Sequence, residues 1–307
     1  MGAESSATAS AAVSGTALGA LGVVLFSASL PATRYAVGEL NPWFVAFGRA
    51  VGAGVLAVAY LWLRRRRRPS PDQARRLLVV AVGVVVGFPL FTSLALTTQT
   101  AAHGAVVIAV LPAVTAAFAV VRGRERPAPT FWVASGAGAL VVVAFTVVSG
   151  ATSGGLEIAD GFLLVAVVLC GLGYAEGGAL ARELGGAEVV CWALVLSLPV
   201  TLPVVLMATA LAPPHAGPTG WWGFAYVTVV SMFLGFFAWY AGLGRGGVAR
   251  VGQVQLVQPI LTLGWSVLLM GEDVPPIALV TAALVVACVA VTQRSRPAAP
   301  QAVLAGE

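Results

Sequence analysis

Lysine is absent from this 307-residue chain, and all 17 basic residues are arginine. Acid is scarce as well. The 12 Asp and Glu bring the charged fraction to only 9%, against roughly 25% in a soluble protein. A water-soluble domain of this composition could not cover its surface with polar groups. Cysteine is reduced to Cys170, Cys191 and Cys288, each inside an apolar run, so neither a disulfide framework nor a metal-ligand spacing is readable. Histidine is reduced to His103 and His215. The second sits in a Pro-rich loop, and no serine stands in a nucleophile-like turn beside the first. A Gly-rich phosphate loop is missing too. These absences argue against a catalytic set, leaving an intramembrane enzyme as a remote alternative. They call for no cofactor, no metal and no nucleic acid, and they make ATP-driven transport dependent on a separate subunit.

What the chain does have is apolar length. Hydrophobic residues make up 59% and mean hydropathy is +0.95. A helical span takes about 20 apolar residues. Ten such runs can be drawn, at 15–34, 43–63, 77–96, 101–121, 130–149, 161–181, 187–209, 221–243, 248–270 and 276–293. The expected fold is therefore an all-α polytopic membrane protein of ten transmembrane helices. Residues 1–14 and 294–307 read as tails, the first disordered, and 150–160 as an external linker between halves 15–149 and 161–293.

Arginine placement orients these spans. Fifteen of the 17 arginines, including the Arg64–Arg68 run, fall on one side if the spans alternate, leaving Arg34 and Arg49. The positive-inside rule makes that side cytoplasmic, with both termini there, in the inner (plasma) membrane. The Arg64–Arg68 run reads as an orientation signal that also touches anionic lipid.

One stretch occurs twice. His103–Glu125 and Arg250–Glu272 are each an apolar run with a proline in its first half, closed by a Gly-containing turn ending in Glu. Pro112 matches Pro259 and Glu125 matches Glu272 at one offset, 147 residues (259 − 112 and 272 − 125). Five spans per half is an odd number, so the second half enters from the opposite side. The loop at Glu125 carries three arginines and that at Glu272 carries none, as two inverted-topology five-helix repeats require.

Leu111-Pro112, Gln258-Pro259, Gly123-Arg124-Glu125 and Gly271-Glu272, in register across nearly the whole chain, resemble the EamA-type members of the drug/metabolite transporter superfamily. Arg49 in the second span also resembles an arginine of that family, although Ala50 follows it where an aromatic is common. The resemblance implies movement of small metabolites or drugs through a central cavity, and it leans toward export.

Candidate site residues follow from polar atoms where apolar ones are expected. Gln255, Gln258, Thr262 and Ser266 share one helical face and read as substrate-binding, with helix–helix bonding as the alternative. Ser93, Thr97 and Thr100 recur at helical spacing before His103, which can sense pH near the external interface. Tyr174, Phe236, Trp239 and Tyr240 are aromatic candidates for the cavity wall. Glu176 lies inside the sixth span and reads as a proton-coupling carboxylate or as a partner of Arg182 or Arg250. Arg49, about 9 Å into its span, either attracts an anionic substrate group, pairs with Glu39 or snorkels outward. Pro112 and Pro259 are hinge candidates. The expected function is secondary active transport of a neutral or zwitterionic small molecule, such as an amino acid, by alternating access with proton coupling as an accompanying hypothesis. An uncoupled facilitator or channel-like pore is the alternative. The partners are substrate and lipid bilayer, and a homodimer is compatible with the sequence.

Overall fold

The computed structural model describes residues 2–123, 129–153 and 157–294. Arg124, Glu125, Arg126 and Arg296 thus lie outside the described residues. Among the described residues there is no strand. We number the spanning helices α1 Ser14–Glu39, α2 Pro42–Leu63, α3 Pro71–Ala95, α4 Ala101–Arg122, α5 Pro129–Ser153, α6 Ile158–Leu184, α7 Gly186–Leu211, α8 Pro218–Gly246, α9 Gln258–Met270 and α10 Pro276–Arg294. Among the described residues seven of these, α1 to α4 and α6 to α8, are long and apolar enough to cross a membrane. The helix of α1 extends back to Gly2, through the tail read as disordered, because an Ala-rich run favours helix locally.

Local sequence sets the helix starts. Asn41 caps α2, its side chain accepting from the backbone N–H of Trp43 at 2.9 Å, with Pro42 in the first turn. Ser70 and Gln73 form a reciprocal capping box on α3, and Thr100 caps α4. α9 ends where Gly271 takes φ +62°, a left-handed value that favours glycine.

Polar contacts at the helix ends sort them into two faces. On one face Arg34 donates to the Leu96 carbonyl (2.6 Å), the Tyr35 hydroxyl to the Leu269 carbonyl, the Gly217 N–H to Glu39 and Gln99 to Glu157 (2.9 Å). On the other face Arg66 pairs with Glu188 (2.7 Å), Arg76 with Glu183 (2.7 Å) and Arg122 with Glu176 (3.0 Å), while Gly15 lies against the Gly246 backbone. Successive ends alternate between the faces, so α1 to α4 and α6 to α8 each join one face to the other. α10 runs along α5. The second face holds Arg64–Arg68, Arg75, Arg76, Arg122, Arg182 and Arg245 and is called here the arginine-rich face.

The packing shows how the halves relate. α2 packs along α7, α5 along α10 and α4 on α9, each pair uniting equivalent helices of the two halves. α1 packs on α8 as α3 packs on α6, which is the same pairing with the halves exchanged. A twofold relation between halves produces this pattern. With an odd number of crossings per half, the matched helices run in opposite directions. Glycine permits the close approach: Gly19 and Gly22 of α1 and Gly242 of α8 sit where a Cβ would meet the neighbouring helix within about 3 Å. Large apolar side chains such as Trp62, Leu206, Leu211 and Leu268 stand exposed on the outer surface, where lipid tails would solvate them.

The backbone departs from α geometry at matched places. α3 widens to a π-helix over Ala81–Gly87, and α8 does so over Tyr226–Gly235. In α3, Phe88 N–H reaches back to the Gly83 carbonyl, and Pro89 next to it has no N–H to offer, so the wider turn relieves its ring. α8 reaches the same geometry without a proline. α4 is interrupted at Ala109–Val110, just before Leu111-Pro112. α9 is preceded by a one-turn helix Val248–Val251 and a 3-10 segment Gly252–Val257, just before Gln258-Pro259. α1 bends at Ala28 (φ −91°, ψ 7°), three residues before Pro31. Pro31 cannot bond the Ser27 carbonyl, and the Thr262 hydroxyl donates to it instead at 2.7 Å.

Candidate functional site

All these irregular segments meet at the centre. A narrow cavity of about 20 Å³ is lined by Ser29 and Leu30 of α1, Val84 and Phe88 of α3, Ile108 and Leu111 of α4, Tyr174 of α6, Ser231, Met232 and Phe236 of α8, and Gln255 and Gln258 at the start of α9. Arg49 of α2 faces into it. Beside it a smaller gap is lined by both Pro112 and Pro259. Non-helical backbone at membrane depth is tolerated where it lines such a space. A volume of about 20 Å³ holds about one water. The centre is thus closed down, and a metabolite would enter only as the helices part.

Arg49 dominates the chemistry of this cavity. It is 3% exposed, its Nη2 donates to Ser231 Oγ at 3.2 Å, and Ser29 Oγ donates to the same Ser231 hydroxyl at 2.8 Å. Arg49 Nε has no hydrogen-bond partner, and no carboxylate pairs with Arg49 among the described residues. Gln255 Oε1 is likewise buried without a partner. A fork-shaped cation with a free N–H and an amide oxygen with spare accepting capacity therefore face one small space; the first suits a carboxylate and the second a donor such as an ammonium or hydroxyl.

The model of the EamA-like transporter family matches the chain twice, over residues 13–148 and 157–293. The chain belongs to the EamA-like transporter family. It is a multi-pass membrane transport protein built from two EamA-like repeats. The chain is 45% identical over 276 residues to "Uncharacterized transporter YdeK" of Bacillus subtilis (strain 168), covering 90% of this chain and 96% of that one. It is 24% identical over 250 residues to an "Uncharacterized transporter" of Archaeoglobus fulgidus, covering 79% and 84%. A solved crystal structure shares the fold with a TM-score of 0.64 at 21% identity, over 92% of this chain and 98% of that one.

In this EamA-like transporter the Gly-Glu turn is a clasp between halves. Gly271 turns the chain left-handed, and Glu272 then reaches the first turn of α4. Its two carboxylate oxygens accept from the Ala101 and Ala102 N–H groups, each at 2.9 Å. Two orphan donors and the positive end of a helix dipole are satisfied together. Glu272→Ala is expected to lower stability by about 2 kcal/mol, with Glu272→Gln in between. Thermal unfolding of the two variants checks this. Equal stability of Glu272→Ala and the parent would show that the clasp contributes nothing.

The structure brings Gln255, Gln258, Arg49, Tyr174 and Phe236 together at the cavity and disperses most of the other expected residues. Thr262 bonds the Ser27 carbonyl and Ser266 bonds the Thr262 carbonyl (3.0 Å), so this part of the polar stripe joins helices. Arg49 pairs neither with Glu39, which holds the Gly217 N–H, nor with solvent. Trp239 and Tyr240 are both 0% exposed and lie in the packing core rather than at the cavity, Gly22 admitting the Trp239 backbone and Gly177 leaving room for the Tyr240 ring. Ser93 is fully buried and its hydroxyl has no partner among the described residues. Thr97 bonds back to the Leu94 carbonyl at 2.7 Å, as hydroxyls near helix ends tend to. His103 Nε2 lies 2.7 Å from Asp160 Oδ1, forming a second clasp on the face opposite the arginines. Glu176 is held by Arg76 (2.5 Å) and Arg122 (3.0 Å), two arginines other than those expected. Sequence reasoning missed Ser29, Ser231 and the bend at Pro31. The proline was a readable signal, whereas the two serines differ in nothing local from hydroxyls that only bond their own helix.

Proposed function

We propose that this protein is a secondary active transporter whose central cavity takes a small zwitterionic metabolite through its carboxylate, in the manner of an amino acid. The observation that carries this reading is Arg49, a buried guanidinium facing the cavity with one hydroxyl as its bonding partner. A buried charge without a counter-charge is costly, and a substrate carboxylate would supply one. The two matched sets of breaks, at α3–α4 and α8–α9, support alternating access, since each half contributes one set to the same space. Fifteen arginines on one side support a cytoplasmic location for that side and both termini, in a plasma membrane, and the family resemblance leans toward export as the direction. Glu176 bonded to two guanidiniums acts as a counter-charge, and a proton-carrying role would require both to let go.

Counterflow in proteoliposomes tests the proposal. Vesicles loaded with an unlabelled neutral amino acid should accumulate the labelled one, while the corresponding amino amide should neither accumulate nor compete. Equal handling of acid and amide would remove the carboxylate from the reading. Uptake insensitive to collapse of the pH gradient would remove the proton.

A further inference from the structure

A second polar cavity, of about 250 Å³, lies at the arginine-rich face between the start of α3 and the ends of α4 and α6. Arg76, Arg122 and Arg182 line it, over a floor of Ala119, Ala175 and Ala179. Glu176, 3% exposed, projects into it and is shared between Arg76 Nε (2.5 Å) and Arg122 Nη1 (3.0 Å). Arg76 also bonds Glu183 through Nη1 at 2.7 Å. Three guanidiniums therefore meet two carboxylates, and Arg182 forms no ion pair among the described residues. The residues of this cavity are separate from those around Arg49.

The repeat shows that the fold does not need these charges. At the offset of 147 residues, Arg122 matches Leu269, Glu176 matches Ser29 and Arg182 matches Tyr35. Of that set Ser29 lies at the central cavity, and on the opposite face the Tyr35 hydroxyl bonds the Leu269 carbonyl. The same junction of helices is thus built once with the Glu39 carboxylate on a backbone N–H and once with an arginine cluster around one carboxylate. Guanidinium forks can hold oxyanions in two-point geometry, and Glu176 takes one bond from each of two of them.

We infer that the cavity formed by Arg76, Arg122 and Arg182 is an oxyanion site at the arginine-rich mouth, where a phosphate or carboxylate group competes with Glu176 for its two arginines. Arg182 provides the first contact. Transfer of Arg76 and Arg122 from Glu176 to the incoming anion loosens the link of α6 to α3 and α4. The site stands apart from the reading of the central cavity.

The test uses the full-length protein in nanodiscs of phosphatidylcholine, with thermal unfolding followed by tryptophan fluorescence. Inorganic phosphate is titrated against sodium chloride at matched ionic strength. Phosphate should raise the Tm beyond the chloride control. Glu176→Gln removes the competitor and should tighten the phosphate response about tenfold, while Arg182→Gln should weaken it about tenfold. Arg49→Gln should leave the phosphate response unchanged, which keeps a failure here distinct from a failure at the centre. A response that needs phosphatidylglycerol in the disc, with none from free phosphate, assigns the oxyanion to a lipid headgroup and still upholds the site. No response beyond chloride from either source, in the parent and in Glu176→Gln, overturns it. If Glu176→Gln does not fold, the comparison of parent with Arg182→Gln decides, and equal responses overturn the site.

Discussion

Arg49→Gln is expected to lower transport by about 100-fold while leaving the protein folded and no less stable. The two halves of that expectation have one cause. Arg49 is a charge removed from water and facing a small buried space with a single hydroxyl partner. Truncating one member of a buried charge pair costs about 2–5 kcal/mol of binding, and each 1.4 kcal/mol is about a factor of ten. The substrate-free protein, by contrast, bears the cost of keeping that charge buried, so a neutral amide relieves it. Arg49→Lys keeps the charge but loses the two-point fork, and about a tenfold loss is expected. Counterflow rates paired with thermal unfolding check both halves. Parent-like transport by Arg49→Gln would show that the guanidinium does not hold substrate. A large fall in its Tm would show that Arg49 is structural.

The largest effect on stability is expected from a single methyl group. Gly186 opens α7 where a Cβ would lie 2.2 Å from the backbone nitrogen of Ala241 and 2.7 Å from its Cα. Backbone of α8 cannot swing aside as a flexible side chain can. Gly186→Ala should therefore cost about 3 kcal/mol, near the upper end for overpacking. Gly161 supplies the contrast, since nothing lies within 4 Å of its added Cβ. Gly161→Ala should be neutral or stabilising by about 0.5–1 kcal/mol, as alanine is the better helix former. Equal shifts in Tm for the two substitutions would contradict the close packing of α7 on α8.

The parts of this architecture that were legible in the sequence are those written in local composition. Apolar run length marked the spans, arginine placement marked their alternation, and the Pro112–Pro259 register marked the repeat. Both prolines do sit just after breaks in their helices. The Gly-Glu motif was visible as a pattern, but its purpose was not, because Ala101 and Glu272 meet only across the two halves. Arg49 was readable as an anomaly, whereas its partner Ser231 is 182 residues away and looks like any other hydroxyl in a helix. Glu176 was visible too, yet Arg76 lies 100 residues before it and belongs to another helix. Polarity in an apolar run signals that a partner exists, and only the packing of helices says which. Of the aromatic candidates Tyr174 and Phe236 line the cavity, whereas Trp239 and Tyr240 do not. Trp239 and Tyr240 carry polar atoms that make them look like cavity residues, but glycines on neighbouring helices decide where they pack.

The clasp at Glu272 also bears on how the chain is made. The carboxylate that completes the first turn of α4 is synthesised 170 residues after Ala102. A nascent chain emerging at about 5–20 residues per second holds α4 in the bilayer for roughly ten to thirty seconds before that carboxylate exists. During this interval Thr100 alone caps the helix. The first half is therefore unfinished on its own, however closely it resembles a module, and a chain truncated after α5 leaves an exposed helix start for quality control to find.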